Sequence, residues 1–143
     1  MSAGAGIIVL IGRILFAFTF ANSGMAFHVR KSKMAEGYSR SIGFPVPAIT
    51  GWPTGLWLTV GALFVALGIW PDLGALMVAA FVIPAAWWFH RFWAVGDPAQ
   101  KQTAEFFFYR NLTYLGASLA LFGLFVTVGP ALRFAITAPL FQF

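Results

Sequence analysis

Four residues have the chemistry to hold a planar, mostly apolar ligand: His90, Trp93, Arg110 and Asn111. Aromatic side chains surround them on both sides of the 94–107 segment. A quinone site needs one or two polar groups to hold the carbonyl oxygens inside an otherwise apolar pocket. The pattern therefore predicts a quinone or lipid site at these four residues. The alternative is a belt of aromatic residues at the membrane interface, with no ligand.

Two histidines lie where apolar runs end, His28 after the first run and His90 near the end of the third. If they face each other at one depth, their imidazoles could ligate a haem iron or a metal. Interfacial anchoring or hydrogen bonding is the more ordinary role, and no zinc-like ligand spacing is present. We therefore predict no metal site and do not favour haem. The chain has no cysteine, which excludes thiolate metal sites, iron–sulfur clusters and dithiol relays.

Arg13 interrupts the first apolar run, and an arginine at such a depth is a candidate functional residue. Its long side chain could instead reach the headgroups, or pair with an acid on another subunit. Small residues recur in the fourth run at Gly116, Ala120 and Gly123. Small residues let helix backbones approach closely in lipid. We therefore predict partner contacts at Arg13, Gly116, Ala120 and Gly123, with internal helix packing as the alternative for the small residues.

The elements that must position these residues are membrane helices. Hydrophobic residues make up 60% of the 143 residues and charged residues 9%, whereas soluble domains carry about 25% charged residues. Four apolar runs are each near the roughly 20 residues that a helix needs to cross a bilayer. They are continuous rather than alternating, which favours helices over strands. The sequence predicts one all-α domain over 1–143, a four-helix transmembrane bundle with helices at about 6–27, 52–70, 73–93 and 108–129.

The basic residues are distributed unevenly between the connecting segments. The first connection, 28–51, carries four Lys or Arg residues, and the third, 94–107, carries Lys101. The second connection, the predicted tight turn Pro71-Asp72, carries none. The positive-inside rule then predicts that segments 28–51 and 94–107 are cytoplasmic and that both termini lie outside. The net charge of +5 indicates topology and attraction to anionic lipid rather than nucleic-acid binding. The apolar tail 130–143 contains two prolines and is predicted to lie at the interface.

Several short motifs, and the order in which they occur along the chain, resemble those of the DoxX family of small four-helix membrane proteins. In chain order they are Gly12-Arg13-Ile14-Leu15, Ser23-Gly24, Gly43-Phe44-Pro45-Val46-Pro47, Gly61 with Gly68, Phe89-His90-Arg91-Phe92-Trp93 and Arg110-Asn111-Leu112. They extend over about 11–122. The aromatic motif around His90, followed about twenty residues later by a basic residue and Asn, is the most specific. Family members often carry a glutamate shortly before the glycine that matches Gly61, and this chain has no acid there.

The resemblance implies a role beside membrane redox enzymes. DoxX-like proteins are similar to the membrane subunit of an archaeal thiosulfate–quinone oxidoreductase, and others are linked to membrane oxidoreductase assemblies. No complete catalytic constellation is present in this chain. We therefore predict a non-catalytic accessory or assembly subunit of a larger membrane redox complex, in contact with lipids and other membrane subunits. The alternatives are a quinone-reactive subunit and a small lipid or solute carrier.

Overall fold

The structure is a computed structural model that describes residues 1–141. Five α-helices are present in this range: α1 (Ala3–Ser23), α2 (Ser32–Ser41), α3 (Trp52–Leu67), α4 (Pro71–Pro84) and α5 (Pro98–Val128). π-Helical segments extend α1 through Gly24–Val29 and α4 through Ala85–Phe89. No β-strand occurs among the described residues. The all-α prediction is confirmed.

Four of the helices form the bundle, in which α1 packs on α3, α3 on α4 and α4 on α5. Three of them, with their extensions, are long and apolar enough to cross a membrane: 3–29, 71–94 and 98–131. The fourth, α3, is apolar but has only 16 residues, which gives a length of about 24 Å. The predicted four-helix transmembrane bundle is confirmed. Met1 and the segment after α5 lie at one end, where Arg133 donates a hydrogen bond to the Met1 carbonyl oxygen; we call this the terminal end and the other the loop end.

Several predicted helix boundaries were wrong by a few residues or more. The third bundle helix ends at Phe89 rather than residue 93, because Pro84 is followed by a π-helical segment and His90 leaves helical geometry. The fourth begins at Pro98 rather than 108, because Asp97 caps it by accepting a hydrogen bond from the Gln100 N–H at 2.9 Å. The predicted first loop also contains an additional helix, α2.

The turn between α3 and α4 lies three residues earlier than predicted. Gly68 ends α3 in the left-handed conformation, with φ +67°, and Trp70 has φ +40°. Pro71 and Asp72, predicted as the turn, instead begin α4, where proline is well tolerated. The Asp72 carboxylate is fully buried and accepts a hydrogen bond from the Phe141 N–H at 2.7 Å. Its place in the first turn of α4 puts the carboxyl oxygens at the positive end of the helix dipole.

The tail folds back across the terminal end of the bundle. The N–H groups of Ile136 and Thr137 both donate to the Gly68 carbonyl oxygen, at 3.0 and 2.9 Å. Leu132 is buried in a core cluster with Val65, Ala75 and Phe125. The tail therefore covers the end of the short helix α3 and supplies partners for its backbone. The last two residues of the predicted interfacial tail, 142–143, lie outside the described range.

Arg13 connects α1 to this helix end. Its guanidinium donates to the carbonyl oxygens of Val65 and Ala66, both at 2.8 Å, and to those of Arg133 and Phe134, at 3.3 and 3.1 Å. The last carbonyls of a helix have no partner within it, and a cation is favourable at that end of the helix dipole. Arg13 has no exposed surface, so the prediction that it contacts a partner subunit or headgroups was wrong. It stabilises the end of α3 inside the chain.

Glycines permit close crossing of α3 with both of its neighbours. A Cβ atom on Gly74 would lie 2.6 Å from the Gly61 carbonyl oxygen, and a Cβ on Gly24 would lie 2.7 Å from the Gly55 carbonyl oxygen. Such distances are too short for any side chain. Close packing of α3 on α4, and of α3 on the extension of α1, therefore requires glycine at both contacts.

Replacing Gly74 by alanine is expected to destabilise the fold by about 1–3 kcal/mol, because the new methyl group would push α3 and α4 apart. Thermal unfolding in one fixed detergent measures the effect. Gly116→Ala is the matched control, because a Cβ on Gly116 meets nothing within 4 Å. Equal stability of the two variants would contradict the close crossing.

Candidate functional site

A cavity of about 630 Å³ occupies the loop-end half of the bundle. Its walls come from all four bundle helices and from α2 with the segment that follows it. The lining is mostly apolar and aromatic, including Phe20, Phe27, Phe81, Phe89 and Tyr114. A volume of this size suits a small organic ligand. At its deep end, the Phe20 and Tyr114 rings meet edge to face, with centroids 5.2 Å apart.

Three of the four predicted ligand-binding residues line this cavity: His90, Arg110 and Asn111. His90 and Arg110 meet on the Phe107 ring. The His90 ring centroid lies 5.2 Å from that of Phe107, and the guanidinium carbon of Arg110 lies 4.4 Å from it. Arg110 is exposed, whereas Asn111 is buried. The structure thus brings together the end of α4 and the middle of α5, as the sequence predicts.

Asn111 is held in place by its own helix. Its Nδ2 donates to the Phe107 carbonyl oxygen at 2.8 Å. A primary amide has two N–H groups and an oxygen acceptor, so this bond leaves one N–H for a ligand. Because the side chain lies on the cavity wall, that N–H can reach a ligand carbonyl oxygen.

Trp93, the fourth predicted residue, does not line the cavity. It follows the end of the π-helical segment and packs against Trp87, Phe92 and Phe108, with ring centroids 5.3–5.4 Å apart. The early end of the third bundle helix causes this separation, because Trp93 would share the helix face of His90 only if the helix continued. Trp93 belongs to an aromatic cluster at the loop end.

His28 and His90 line the same cavity from opposite sides of the bundle. His28 Nδ1 donates to the Thr50 carbonyl oxygen at 2.6 Å. That bond fixes the neutral tautomer and leaves Nε2 as an acceptor. His28 also packs edge to face on Phe81, at 5.5 Å between ring centroids. Among residues 1–141, no group of three or more His, Asp or Glu side chains is placed to hold a metal ion.

Sequence reasoning missed the lid of the cavity. Tyr38 on α2 and Phe44, Ile49 and Thr50 in the following segment close its loop end. Phe44 packs on Trp88 and Phe89, at 5.7 and 5.4 Å between ring centroids. Arg91 Nη2 donates to the Ile42 carbonyl oxygen at 3.0 Å and ties the lid to the end of the third bundle helix. The spacing of Ala35 and Ser39, the buried residues of α2, is the sequence signal that indicates this helix.

The predicted partner-contact residues of the fourth helix lie on its outer face. Gly116, Ala120 and Gly123 are all exposed, and a Cβ on either glycine would meet nothing within 4 Å. They therefore take no part in the internal packing of this chain. A shallow, smooth strip is left on the lipid-facing surface of α5.

The combined arrangement suits a ligand with hydrogen-bond acceptors and no positive charge. Within the described residues, the lining includes one guanidinium and two imidazoles but no carboxylate. A cation would find no opposite charge in this cavity. Ligand carbonyl oxygens would find donors on Asn111, Arg110 and the histidines.

Comparison with known proteins places the chain in a family. No curated protein and no solved structure gives a match. The family model of DoxX matches residues 8–91, which is more than half of the chain and extends from within α1 to just past the end of the third bundle helix. The motif around Arg13 lies within this range, whereas the motif Phe89-His90-Arg91-Phe92-Trp93 lies within it only up to Arg91. The chain therefore belongs to the DoxX family.

Proposed function

We propose that this integral membrane protein is an accessory subunit that holds a quinone for a larger membrane redox complex. The supporting observation is the cavity of about 630 Å³, with aromatic walls and with His90, Arg110 and Asn111 on its surface. Flat rings pack well against aromatic walls. Donors on the same wall suit the two carbonyl oxygens of a quinone.

The chain's part in this function is binding and positioning. No cysteine is present to relay electrons, and redox chemistry is the quinone's own. His28 and Asn111 are each fixed by a backbone carbonyl, and so offer preset hydrogen-bonding groups. A partner subunit would exchange electrons with the quinone while this chain holds its ring.

The test is whether the protein binds a quinone. The purified protein in lipid nanodiscs is extracted and assayed for bound quinone, then titrated with decylubiquinone while tryptophan fluorescence is recorded. Trp57 lines the cavity and serves as a reporter. Saturable binding in the micromolar range is expected, together with quinone in the extract. Absence of both would overturn the proposal, and a bound phospholipid instead would favour the lipid or solute carrier.

His90→Ala is expected to weaken decylubiquinone binding about tenfold, because it removes a ring that lies on the cavity wall and offers a hydrogen bond worth about 1 kcal/mol. Trp93→Ala is the matched control, since Trp93 packs away from the cavity. Unchanged binding by the His90 variant would count against a site at this wall.

The outer strip of α5 favours a second role, assembly with another membrane subunit. Gly116, Ala120 and Gly123 let another helix approach closely. Ala120→Leu is expected to lower the yield of a co-purified complex from native membranes several-fold, because the added bulk would hold the partner helix away. Ala5→Leu adds the same bulk to an exposed position of α1 and is the control. An equal yield from both variants would show that the strip is not the contact.

We also infer that the loop end faces the cytoplasm. Four basic residues lie there between α1 and α3: Arg30, Lys31, Lys33 and Arg40. The positive-inside rule favours this orientation, with both termini outside. A quinone in the cavity would then lie in the cytoplasmic half of the membrane.

A further inference from the structure

The cavity has one side where helices do not pack directly on each other. α1 packs on α3, and α5 packs on α4. Across the cavity, α1 and α5 meet through large side chains, of which Phe20 and Tyr114 close the deep end. The side of the cavity between α1 and α5 is therefore bounded by side chains rather than by closely packed helices, and we call this side the slot.

Residues on both edges of this slot line the cavity and are also exposed. They are Thr19 on α1, Phe27 on its π-helical extension and Arg110 on α5. Thr19 lies ten residues before Val29, where the first span ends, which corresponds to about 15 Å along the helix. The hydrocarbon core is about 30 Å thick. At Thr19 the slot therefore lies at the depth of the lipid tails.

The other sides of the cavity are more closely packed, although Tyr38 and Ile49 in the lid, Trp57 on α3 and Ala80 on α4 also line the cavity and are exposed. At the loop end, the lid packs through Phe44 on Trp88 and Phe89. Between α3 and α4, Trp57 Nε1 donates to the Met77 carbonyl oxygen at 2.7 Å and lays its indole across the two helices. Among the described bundle helices, α3 packs closely on α4 and α4 on α5, whereas α1 and α5 do not pack closely beside the cavity.

We propose that the cavity takes a membrane-resident quinone with a long isoprenoid tail, which enters sideways through the slot between α1 and α5. The ring lies against His90 and Asn111, and the tail leaves between Thr19 and Arg110 into the lipid. This inference rests on the proposed function and adds the class of quinone and its route. It follows that bulk in the slot affects binding of the tail and not of the ring.

The experiment compares ubiquinone-10 with the tail-less ring compound 2,3-dimethoxy-5-methylbenzoquinone, in nanodiscs, on Thr19→Trp. Thr19 lies on the slot, and its hydroxyl bonds only weakly to its own helix, at 3.4 Å from the Leu15 carbonyl oxygen. Leu15→Trp is the matched control, because Leu15 is exposed one turn away and does not line the cavity. Thr19→Trp is expected to raise the dissociation constant of ubiquinone-10 at least tenfold and to leave that of the tail-less compound within twofold.

Equal effects of Thr19→Trp on the two compounds would overturn the route while the proposed function stands. Failure of the wild type to bind either compound would overturn both. A second measurement avoids the added bulk: p-benzoylphenylalanine replaces Phe27, which is already aromatic and 37% exposed. Illumination is expected to cross-link it to the isoprenoid tail, whereas the same group at Leu15 captures lipid. No quinone cross-link at Phe27, with binding intact, would also overturn the route.

Discussion

Replacement of Arg13 by methionine is expected to destabilise the protein by roughly 3–5 kcal/mol, because backbone carbonyls buried at membrane depth would lose their donor. Arg13 serves four carbonyl oxygens and has no exposed surface. Methionine preserves most of the side-chain volume but donates nothing. Unfolding followed by circular dichroism at increasing SDS mole fraction in mixed micelles measures the loss.

Two further variants make this measurement specific. Arg133→Met removes an exposed guanidinium from the same end of the bundle and is expected to change stability by less than about 1 kcal/mol. Arg13→Lys keeps the charge but loses the planar fork that reaches several carbonyls, so an intermediate loss is expected. If Arg13→Met and Arg133→Met were equally stable, Arg13 would not be the cap of α3.

Replacement of Asn111 by leucine is expected to weaken decylubiquinone binding at least tenfold and to leave the fold nearly as stable as before. The two side chains are similar in shape, and the Phe107 carbonyl remains bonded within the helix. The variant loses the amide N–H on the cavity wall. A ligand oxygen that is buried there without a hydrogen-bond donor binds less tightly. Fluorescence titration and thermal unfolding of the same samples separate the two effects.

Ser118 offers the matched control for Asn111. It lies seven residues later on the same face of α5, is buried, and likewise bonds back to its own helix, at 2.8 Å from the Tyr114 carbonyl oxygen. It does not line the cavity. Ser118→Ala is therefore expected to bind decylubiquinone like the wild type. Equal binding by the Asn111 and Ser118 variants would remove Asn111 from the proposed site.

The four bundle helices could be predicted from hydropathy, because a membrane helix is recognised by the average composition of about 20 residues. The helix boundaries depend on single residues, which an average over about 20 residues does not show. Asp97 starts α5 ten residues before the apolar run begins, and Pro84 is followed by a π-helical segment that ends the third bundle helix at Phe89. Because the third bundle helix ends at Phe89, Trp93 lies away from His90, although both belong to one aromatic sequence motif.

The candidate site was partly predictable for a similar reason. His90, Arg110 and Asn111 fall at matching depths on neighbouring helices, so their positions in the sequence bring them together. The lid did not follow from pattern alone, because α2 is short and polar. The role of Arg13 could not be predicted, because its partners are backbone carbonyls, which any residue type provides.

The bonds from Arg13 also determine when the protein can finish folding. Insertion of the first helix places a guanidinium in the bilayer at a cost of about 2.5–3.5 kcal/mol near the helix centre. Two of its acceptors, on Arg133 and Phe134, lie 120 and 121 residues later in the chain, after all four bundle helices. The guanidinium therefore lacks part of its hydrogen bonding until residues 133–134 have been made and have folded back across the end of α3.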